Sequence, residues 1–199
     1  MSKKNIGVIG AGAWGTAMAQ ALARNGHKVE LWAMEQDVVD SINNEHENKK
    51  FLPGFKLSEN LTADTDIKKV SYGKEFLILA SPSLYLAKTV ANIVDVPTIA
   101  DGSTTIGVLA KGFIPSDNGP KLIIETLESV LPSVYNKSLV YIAGPSHAEE
   151  VAFNIPTTVL TSSKDMKCAE EVQDLFMTKT FRVYTNDDLV GVEVGGAVK

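Results

Sequence analysis

Two patterns of apolar residues alternate along the chain, and they predict strands followed by helices. Short continuous apolar runs, such as residues 6–9, are typical of strands that are buried on both faces. Residues 14–22 instead space their apolar side chains as an amphipathic helix does, and Gly26 follows where a helix-ending glycine is expected. The alternation predicts a mostly parallel sheet with helices on both faces.

The same patterns continue to the end of the chain. No linker rich in Gly, Ser or Pro interrupts them, so we expect one domain over residues 1–186 and the opening of a new helix over 187–199. Because residue 199 falls inside a patterned run, we also expect further chain beyond it. The predicted strands are 6–9, 29–34, 76–80, 104–110, 139–143, 157–161 and 181–184, with 56–63 either strand or loop, and the predicted helices are 14–22, 36–45, 84–94, 121–131 and 165–177.

Composition narrows the possible functions. The 199 residues carry a net charge of −5, which offers neither nucleic acid nor an anionic membrane a basic surface. No apolar stretch approaches the roughly 18 residues that span a bilayer, and the N-terminal apolar run is too short for a secretory signal. The single cysteine, Cys168, excludes a disulfide framework, and the three histidines lack metal-ligand spacing. We therefore expect a cytoplasmic protein without a metal site.

The most specific motif lies between the first predicted strand and helix, where residues 10–15 read GAGAWG. This G-x-G-x-x-G spacing, in this context, is typical of loops that hold a dinucleotide. Gly10 permits the tight turn, Gly12 lets a diphosphate approach the backbone, and Gly15 lets helix and strand pack closely. The helix N-terminus then offers N–H groups to the phosphates. The motif predicts a Rossmann-like, dinucleotide-binding domain.

The end of the second predicted strand bears on cofactor preference. There an acidic residue binds the ribose hydroxyls of NAD, whereas an Arg accommodates the 2′-phosphate of NADP. Glu35 is the nearest acid, and no basic residue directly follows the strand, so the sequence favours NAD over NADP. Two alternatives stay open: Glu35 is a solvated residue of the next helix, or Lys49 and Lys50 supply compensating charge from a loop.

Four further segments carry residues suited to chemistry. Three of them follow predicted strands, where ligands bind in open α/β sheets. The fourth contains three glycines that weaken a helix, which indicates close approach of its backbone to a cofactor or a strand. The segments are ASPS at 80–83, LAKG at 109–112, GPSHAEE at 144–150 and GVEVGGAVK at 191–199.

With GAGAWGTA, ASPS, AKGF, GPSHAEEVA and FRVYTNDDLVGVEVGGAVK in this order, the whole chain resembles the NAD(P)-dependent glycerol-3-phosphate dehydrogenases. The resemblance implies a Rossmann-like domain followed by an all-helical substrate domain, of which residues 187–199 are the beginning. It implies reversible hydride transfer between NAD(P)H and dihydroxyacetone phosphate, which yields sn-glycerol 3-phosphate for glycerophospholipid synthesis. It also makes a homodimer through the missing domain plausible.

The resemblance further implies roles for individual residues. Met34 departs from the basic side chains of NADP-preferring members, and Phe51 stands where a Tyr is often found. The implied cofactor contacts are Ala13, Trp14, Met34, Phe51, Lys111 and Ala148, in addition to Gly10, Gly12 and Gly15 of the motif; the implied substrate contacts are Lys111, Gly144 and Ser146, and Lys199 is the implied catalytic proton acceptor.

The chemistry suits these residue types, because alcohol oxidation requires a base and a lysine serves if its pKa is lowered by burial or a second ammonium group. Without the resemblance, Lys111 and Lys199 would each be taken for solvated lysines. Two other functions remain open: a nicotinamide-sensing module without turnover, and a related dehydrogenase acting on another small hydroxy substrate. We expect residues 1–199 alone to bind cofactor with little or no turnover.

Overall fold

A computed structural model describes residues 2–116 and 119–198 and contains one eight-stranded sheet in that part of the chain. The expected fold, a mostly parallel Rossmann-like sheet covered by helices, is confirmed. The strands are β1 Asn5–Ile9, β2 Lys28–Trp32, β3 Leu61–Asp64, β4 Phe76–Leu79, β5 Thr105–Val108, β6 Val140–Ala143, β7 Thr157–Ser162 and β8 Phe181–Asn186.

Helices of very different length connect the strands. The longer ones lie where the sequence pattern predicts them, whereas the helices of four or five residues were not predicted because they are shorter than two turns of periodicity. The α-helices are α1 Ala13–Arg24, α2 Gln36–Glu45, α3 Ile67–Ser71, α4 Ser83–Ala91, α5 Pro97–Ala100, α6 Ile123–Val130, α7 Ala148–Ala152, α8 Met166–Phe176 and α9 Leu189–Ala197, and Ser133–Tyr135 form a 3-10 turn.

The strand order is β3-β2-β1-β4-β5-β6-β7-β8. Neighbouring strands are parallel from β3 through β6, β7 runs antiparallel to β6, and β8 is parallel to β7. The chain therefore moves outward from β1 to β3 on one side and returns to β4 on the other. In open α/β sheets such a reversal opens a crevice at the carboxyl ends of the central strands, here β1 and β4.

Two buried apolar clusters, one on each face of the sheet, form the core. Because successive strand residues point to opposite faces, Val140 and Ile142 join one cluster while Tyr141 and Ala143 join the other. Helices α1, α2, α7 and α8 pack on the first face, and α3, α4, α5, α6 and α9 pack on the second. The continuous apolar runs of the sequence arise from this burial on both faces.

Helix α1 ends as its glycine predicts. Gly26 has φ +87°, the N–H of Gly26 donates to the Ala23 carbonyl at 3.1 Å, and the N–H of His27 donates to the Leu22 carbonyl at 3.3 Å. These two hydrogen bonds form a Schellman motif, which is common where a helix is followed by a glycine in the left-handed conformation. The turn directs the chain into β2 and places the ends of β1 and β2 side by side.

Within residues 2–116 and 119–198, no helix has the length and apolar character needed to cross a membrane. The same residues contain no group of three or more His, Cys, Asp or Glu side chains that could hold a metal ion.

Candidate functional site

Two glycines of the loop after β1 are required by the fold itself. Gly10 has φ +120°, and a Cβ there would lie 2.8 Å from the Ser81 backbone nitrogen. A Cβ on Gly15 would lie 1.9 Å from the Gly10 carbonyl oxygen. The loop is thus pressed between α1 and the end of β4, where the Ser81 hydroxyl also donates to the Ile9 carbonyl at 3.2 Å. These positions exclude any side chain, with or without a ligand.

Gly12 is different, because a Cβ there would meet no atom within 4 Å. It is the N-cap residue of α1, supplies no side-chain cap, and is followed by no acidic side chain in the first turn. The N-terminus of α1, with its partial positive charge, therefore opens onto unfilled space at the β1–β4 crevice. A bare helix end beside a glycine that packing does not require fits the diphosphate of a dinucleotide.

Asn48, which carries no signal in the sequence, holds the glycine loop by hydrogen bonds. Its amide nitrogen donates to the Ala11 carbonyl at 2.9 Å and to the Thr16 hydroxyl at 2.8 Å, and its amide oxygen accepts from the Phe51 N–H at 3.1 Å. The side chain is fully buried. Asn48 therefore fixes the glycine loop to the turn that carries Phe51.

We expect Asn48→Ala to weaken NADH binding by about tenfold, since removing one partner of buried hydrogen bonds costs about 1–3 kcal/mol. Asn44→Ala is the matched control, because Asn44 is exposed on α2. Fluorescence titration of both variants measures the Kd for NADH. An Asn48→Ala protein that binds NADH as tightly as Asn44→Ala would show that the loop does not depend on this link.

Lys111 and Trp14 come together across the crevice. The Lys111 ammonium lies 4.9 Å from the centre of the Trp14 ring. Trp14 follows Gly12 and Ala13 directly in the sequence. The buried Trp14 Nε1 has no hydrogen-bond partner among the described residues. The pair places a cation near the start of α1. The expected contacts of Lys111 with cofactor and substrate stay a prediction.

Tyr141 fixes the backbone next to Lys111. Its hydroxyl donates to the Ala110 carbonyl at 2.9 Å, and burial, together with the charge of Glu193, raises the pKa of Tyr141 above its usual value. The phenol thus stays protonated and holds Ala110 over the physiological pH range. Tyr141 carries no signal in the sequence, because a tyrosine that only packs in a strand and one whose hydroxyl positions the backbone look alike there.

The predicted substrate segment follows β6. Ser146 is buried, its N–H donates to the Gly144 carbonyl at 3.0 Å, and Ala148 begins α7. A Cβ on Gly144 would lie 2.7 Å from the Thr158 carbonyl oxygen. The antiparallel β7 strand therefore accounts for the glycine. Gly144 follows the carboxyl end of β6, and its contact with substrate stays a prediction.

The residues expected at the adenosine end lie beyond β2. Met34 is 78% exposed, and Glu35 is the N-cap residue of α2. The Lys50 ammonium lies 3.2 Å from a Glu35 carboxylate oxygen and 5.3 Å from the centre of the Phe51 ring. The structure thus pairs the acid that favours NAD with one of the lysines that could compensate it.

Lys199 lies outside the described residues. The helix before it, α9, approaches β6 closely, since a Cβ on Gly196 would lie 3.2 Å from the Ala143 Cβ. A Cβ on Gly191 would collide with the Asp188 side chain that caps the helix, whereas one on Gly195 would meet nothing within 4 Å. The predicted close approach to a strand is therefore found at Gly196.

Glu193 was also missed, although the sequence carries a signal for it. It is the one charged residue within the α9 segment LVGVEVGGA, and its side chain is fully buried. A single charge in an otherwise apolar helix marks a buried, hydrogen-bonded group.

Comparisons with known proteins agree with this geometry. Residues 5–169 match a family model described as the N-terminus of NAD-dependent glycerol-3-phosphate dehydrogenase. Glycerol-3-phosphate dehydrogenases [NAD(P)+] of Treponema denticola and Bacillus velezensis are each 44% identical to the chain, and both alignments cover 98% of it. They cover 56% and 55% of those relatives, so the chain spans about half the length of the curated relatives it matches.

Solved structures show the same likeness. The crystal structure of glycerol-3-phosphate dehydrogenase from Coxiella burnetii superposes with a TM-score of 0.87 at 34% identity, over 98% of this chain and 57% of that one. The Plasmodium falciparum glycerol-3-phosphate dehydrogenase superposes with a TM-score of 0.84 at 25% identity, over 98% of this chain and 56% of that one.

Proposed function

This chain belongs to the NAD-dependent glycerol-3-phosphate dehydrogenase family, and from that membership we propose that it forms the cofactor-binding part of an oxidoreductase. The proposed reaction is reversible reduction of dihydroxyacetone phosphate to sn-glycerol 3-phosphate with NADH or NADPH. The observation that carries the proposal is the open space at Gly12, before the bare N-terminus of α1 and beside the Trp14–Lys111 pair.

The described residues fit the proposed cofactor. Backbone N–H groups at Gly12 and the start of α1 would bind the diphosphate, with Ala13 and Trp14 beside it, and Ala148 would contact the cofactor. Met34, Glu35 and Phe51 lie toward the adenosine end. A bound reduced nicotinamide supplies the hydride; the chain holds the dinucleotide by its diphosphate and orients it along the crevice.

The substrate is a dianion, and the net charge of −5 gives it no general attraction to this protein. We assign that attraction to Lys111, at the carboxyl end of β5, with Gly144 and Ser146 lining the same edge of the sheet. We assign proton transfer at the substrate C2 oxygen to Lys199. A neighbouring ammonium such as Lys111 lowers the pKa of a lysine and thereby suits it to donate and accept protons.

Three finer statements belong to the same proposal. The product supplies glycerophospholipid synthesis, the enzyme acts in the cytoplasm, and it forms a homodimer through segments outside this chain. They rest on the family resemblance.

The test is NADH oxidation by the protein in its full natural length, followed by absorbance with dihydroxyacetone phosphate as substrate. We expect turnover that depends on the phosphorylated ketone and product identified as glycerol 3-phosphate. Cofactor binding without turnover would favour a nicotinamide-sensing module instead. Turnover with another small carbonyl compound, but none with dihydroxyacetone phosphate, would favour a related dehydrogenase.

We expect NADH to bind up to about tenfold more tightly than NADPH, since the Glu35 carboxylate repels a 2′-phosphate and the Lys50 ammonium, 3.2 Å from Glu35, offsets only part of that repulsion. Glu35→Gln should narrow that ratio. Glu45→Gln is the matched control, because Glu45 lies at the far end of α2 and pairs with Lys49. Titration with both dinucleotides measures the ratio, and tighter NADPH binding by the unaltered protein would contradict the expectation.

A further inference from the structure

Helix α9 buries a carboxyl group that the proposed function does not yet use. Glu193 has no exposed surface, and its neighbours along the helix are apolar residues and glycines. Moving a carboxylate out of water is costly unless hydrogen bonds replace those to water. Glu193 is therefore expected to make contacts that the fold or the reaction needs.

Those contacts lie on another helix. One carboxylate oxygen of Glu193, Oε1, accepts from the backbone N–H of Ile123 and, at 3.2 Å, from that of Ile124. These groups belong to the first turn of α6, whose N-cap residue Leu122 provides no side-chain cap. Glu193 thus caps α6 from a distant part of the chain, and its negative charge faces the positive end of that helix.

The other carboxylate oxygen, Oε2, is buried and has no hydrogen-bond partner among the described residues. Burial raises the pKa of Glu193, and the bonds from Ile123 and Ile124 oppose that shift. Exposed Glu125, in the first turn of α6, and the buried Tyr141 phenol are the titratable neighbours that interact with it. Burying this carboxyl group costs free energy. We therefore expect its contacts to fix the position of α9 relative to α6.

The capped turn ends the loop that begins with Lys111. Backbone hydrogen bonds of 3.0 and 2.9 Å between Ile114 and Lys121 close that loop, and α6 starts two residues later. At the opposite end, the Tyr141 hydroxyl holds the Ala110 carbonyl. The segment that carries Lys111 is thus fixed on one side by Tyr141 and on the other by Glu193.

Glu193 and Gly196 lie one helical turn apart, on the same face of α9. A Cβ on Gly196 would lie 3.2 Å from the Ala143 Cβ and 3.6 Å from the Tyr141 hydroxyl oxygen. The same face of α9 therefore contacts both supports of the Lys111 loop, Tyr141 directly and α6 through the carboxylate. Residue 199 follows Gly196 by three positions in the sequence.

We propose that Glu193 is a positioning residue for the dehydrogenase reaction, which fixes the helix preceding Lys199 against the loop that carries Lys111. The proposal rests on the proposed function, in which these two lysines serve the same substrate. Two charged groups that act on one molecule need a fixed separation, and a misplacement of about 1 Å can cost about 100-fold in rate.

The test uses the protein in its full natural length and compares Glu193→Ala with Glu193→Gln. We expect Glu193→Ala to lower kcat by about 10- to 100-fold. The Kd for NADH should change by a smaller factor, because the hydrogen bonds of Glu193 hold α6 and not the glycine loop. Glu193→Gln should recover most of kcat, since an amide oxygen still accepts both N–H groups. Glu170→Ala and Glu170→Gln are the matched controls, because Glu170 is an exposed glutamate on α8, and they should change neither quantity.

Circular dichroism and thermal unfolding show what fraction of each variant is folded. The proposal is overturned if kcat per folded Glu193→Ala molecule equals the unaltered value, which is the result for a carboxyl that serves stability alone. It is also overturned if Glu193→Gln is as slow as Glu193→Ala. Absence of turnover in the unaltered protein would contradict the proposed function itself, and that result is obtained before any variant is compared.

Discussion

Lys199→Met is expected to lower kcat about 100- to 10,000-fold in the protein in its full natural length, the range that general acid–base catalysis contributes. The methionine keeps the length of the side chain but has no proton to give or take. Binding of NADH should persist, because we assign the diphosphate to the start of α1 and to the glycine loop that Asn48 supports. The measurement is steady-state reduction of dihydroxyacetone phosphate at saturating NADH.

Two comparisons isolate the proton-transfer role. Lys179→Met is the control for loss of a lysine elsewhere in the chain and should leave kcat unchanged. Lys111→Met should raise the KM for the phosphorylated substrate, since Lys111 is assigned to attract its charge. Added methylamine should restore part of the rate of Lys199→Ala, whose shortened side chain leaves room for the amine, and none of that of Lys111→Ala. A Lys199→Met protein with kcat near the unaltered value would remove Lys199 from the reaction.

Replacing two glycines of the G-x-G-x-x-G motif by alanine is expected to have the second large effect, and the two substitutions should act differently. Gly15→Ala is expected to destabilise the folded chain by about 3 kcal/mol or more, because its Cβ would lie 1.9 Å from the Gly10 carbonyl oxygen. Gly12→Ala is expected to leave stability unchanged, since its Cβ would meet nothing within 4 Å. Its methyl group would instead occupy the space assigned to the diphosphate and weaken NADH binding by about 10- to 100-fold.

Chemical unfolding and NADH titration of the 199-residue chain distinguish the two variants. Gly12→Ala should unfold at the denaturant concentration of the unaltered chain and bind NADH poorly, whereas Gly15→Ala should unfold earlier. If Gly12→Ala bound NADH normally, the diphosphate would not lie at the start of α1. If both variants unfolded early, the open space at Gly12 would have a structural purpose instead.

Much of the fold follows from the sequence because burial on both faces leaves continuous apolar runs, and these predict the strands. Helix α2 begins and ends at the predicted residues, and Gly26 ends α1 as expected. The short helices α3, α5 and α7 are too brief to show a period. The reversed direction of β7 depends on pairing across the sheet, which no local pattern encodes.

The sequence predicts the site residues whose type the chemistry requires. It does not predict the buried polar residues that hold the backbone of the site in place. The motif identifies Gly10, Gly12 and Gly15, and the structure gives each a different reason to be glycine. Asn48 and Tyr141 act through contacts with residues distant in the chain. A polar residue in a loop or an aromatic residue in a strand is too common to indicate such a role.

The proposed reaction transfers a hydride from a nicotinamide bound by this chain to the C2 carbon of dihydroxyacetone phosphate. The sharpest test supplies NADH dideuterated at C4 to the protein in its full natural length and follows the product by nuclear magnetic resonance. We expect glycerol 3-phosphate that carries one deuterium at C2. Glycerol 3-phosphate without deuterium, or cofactor binding with no product, would contradict it.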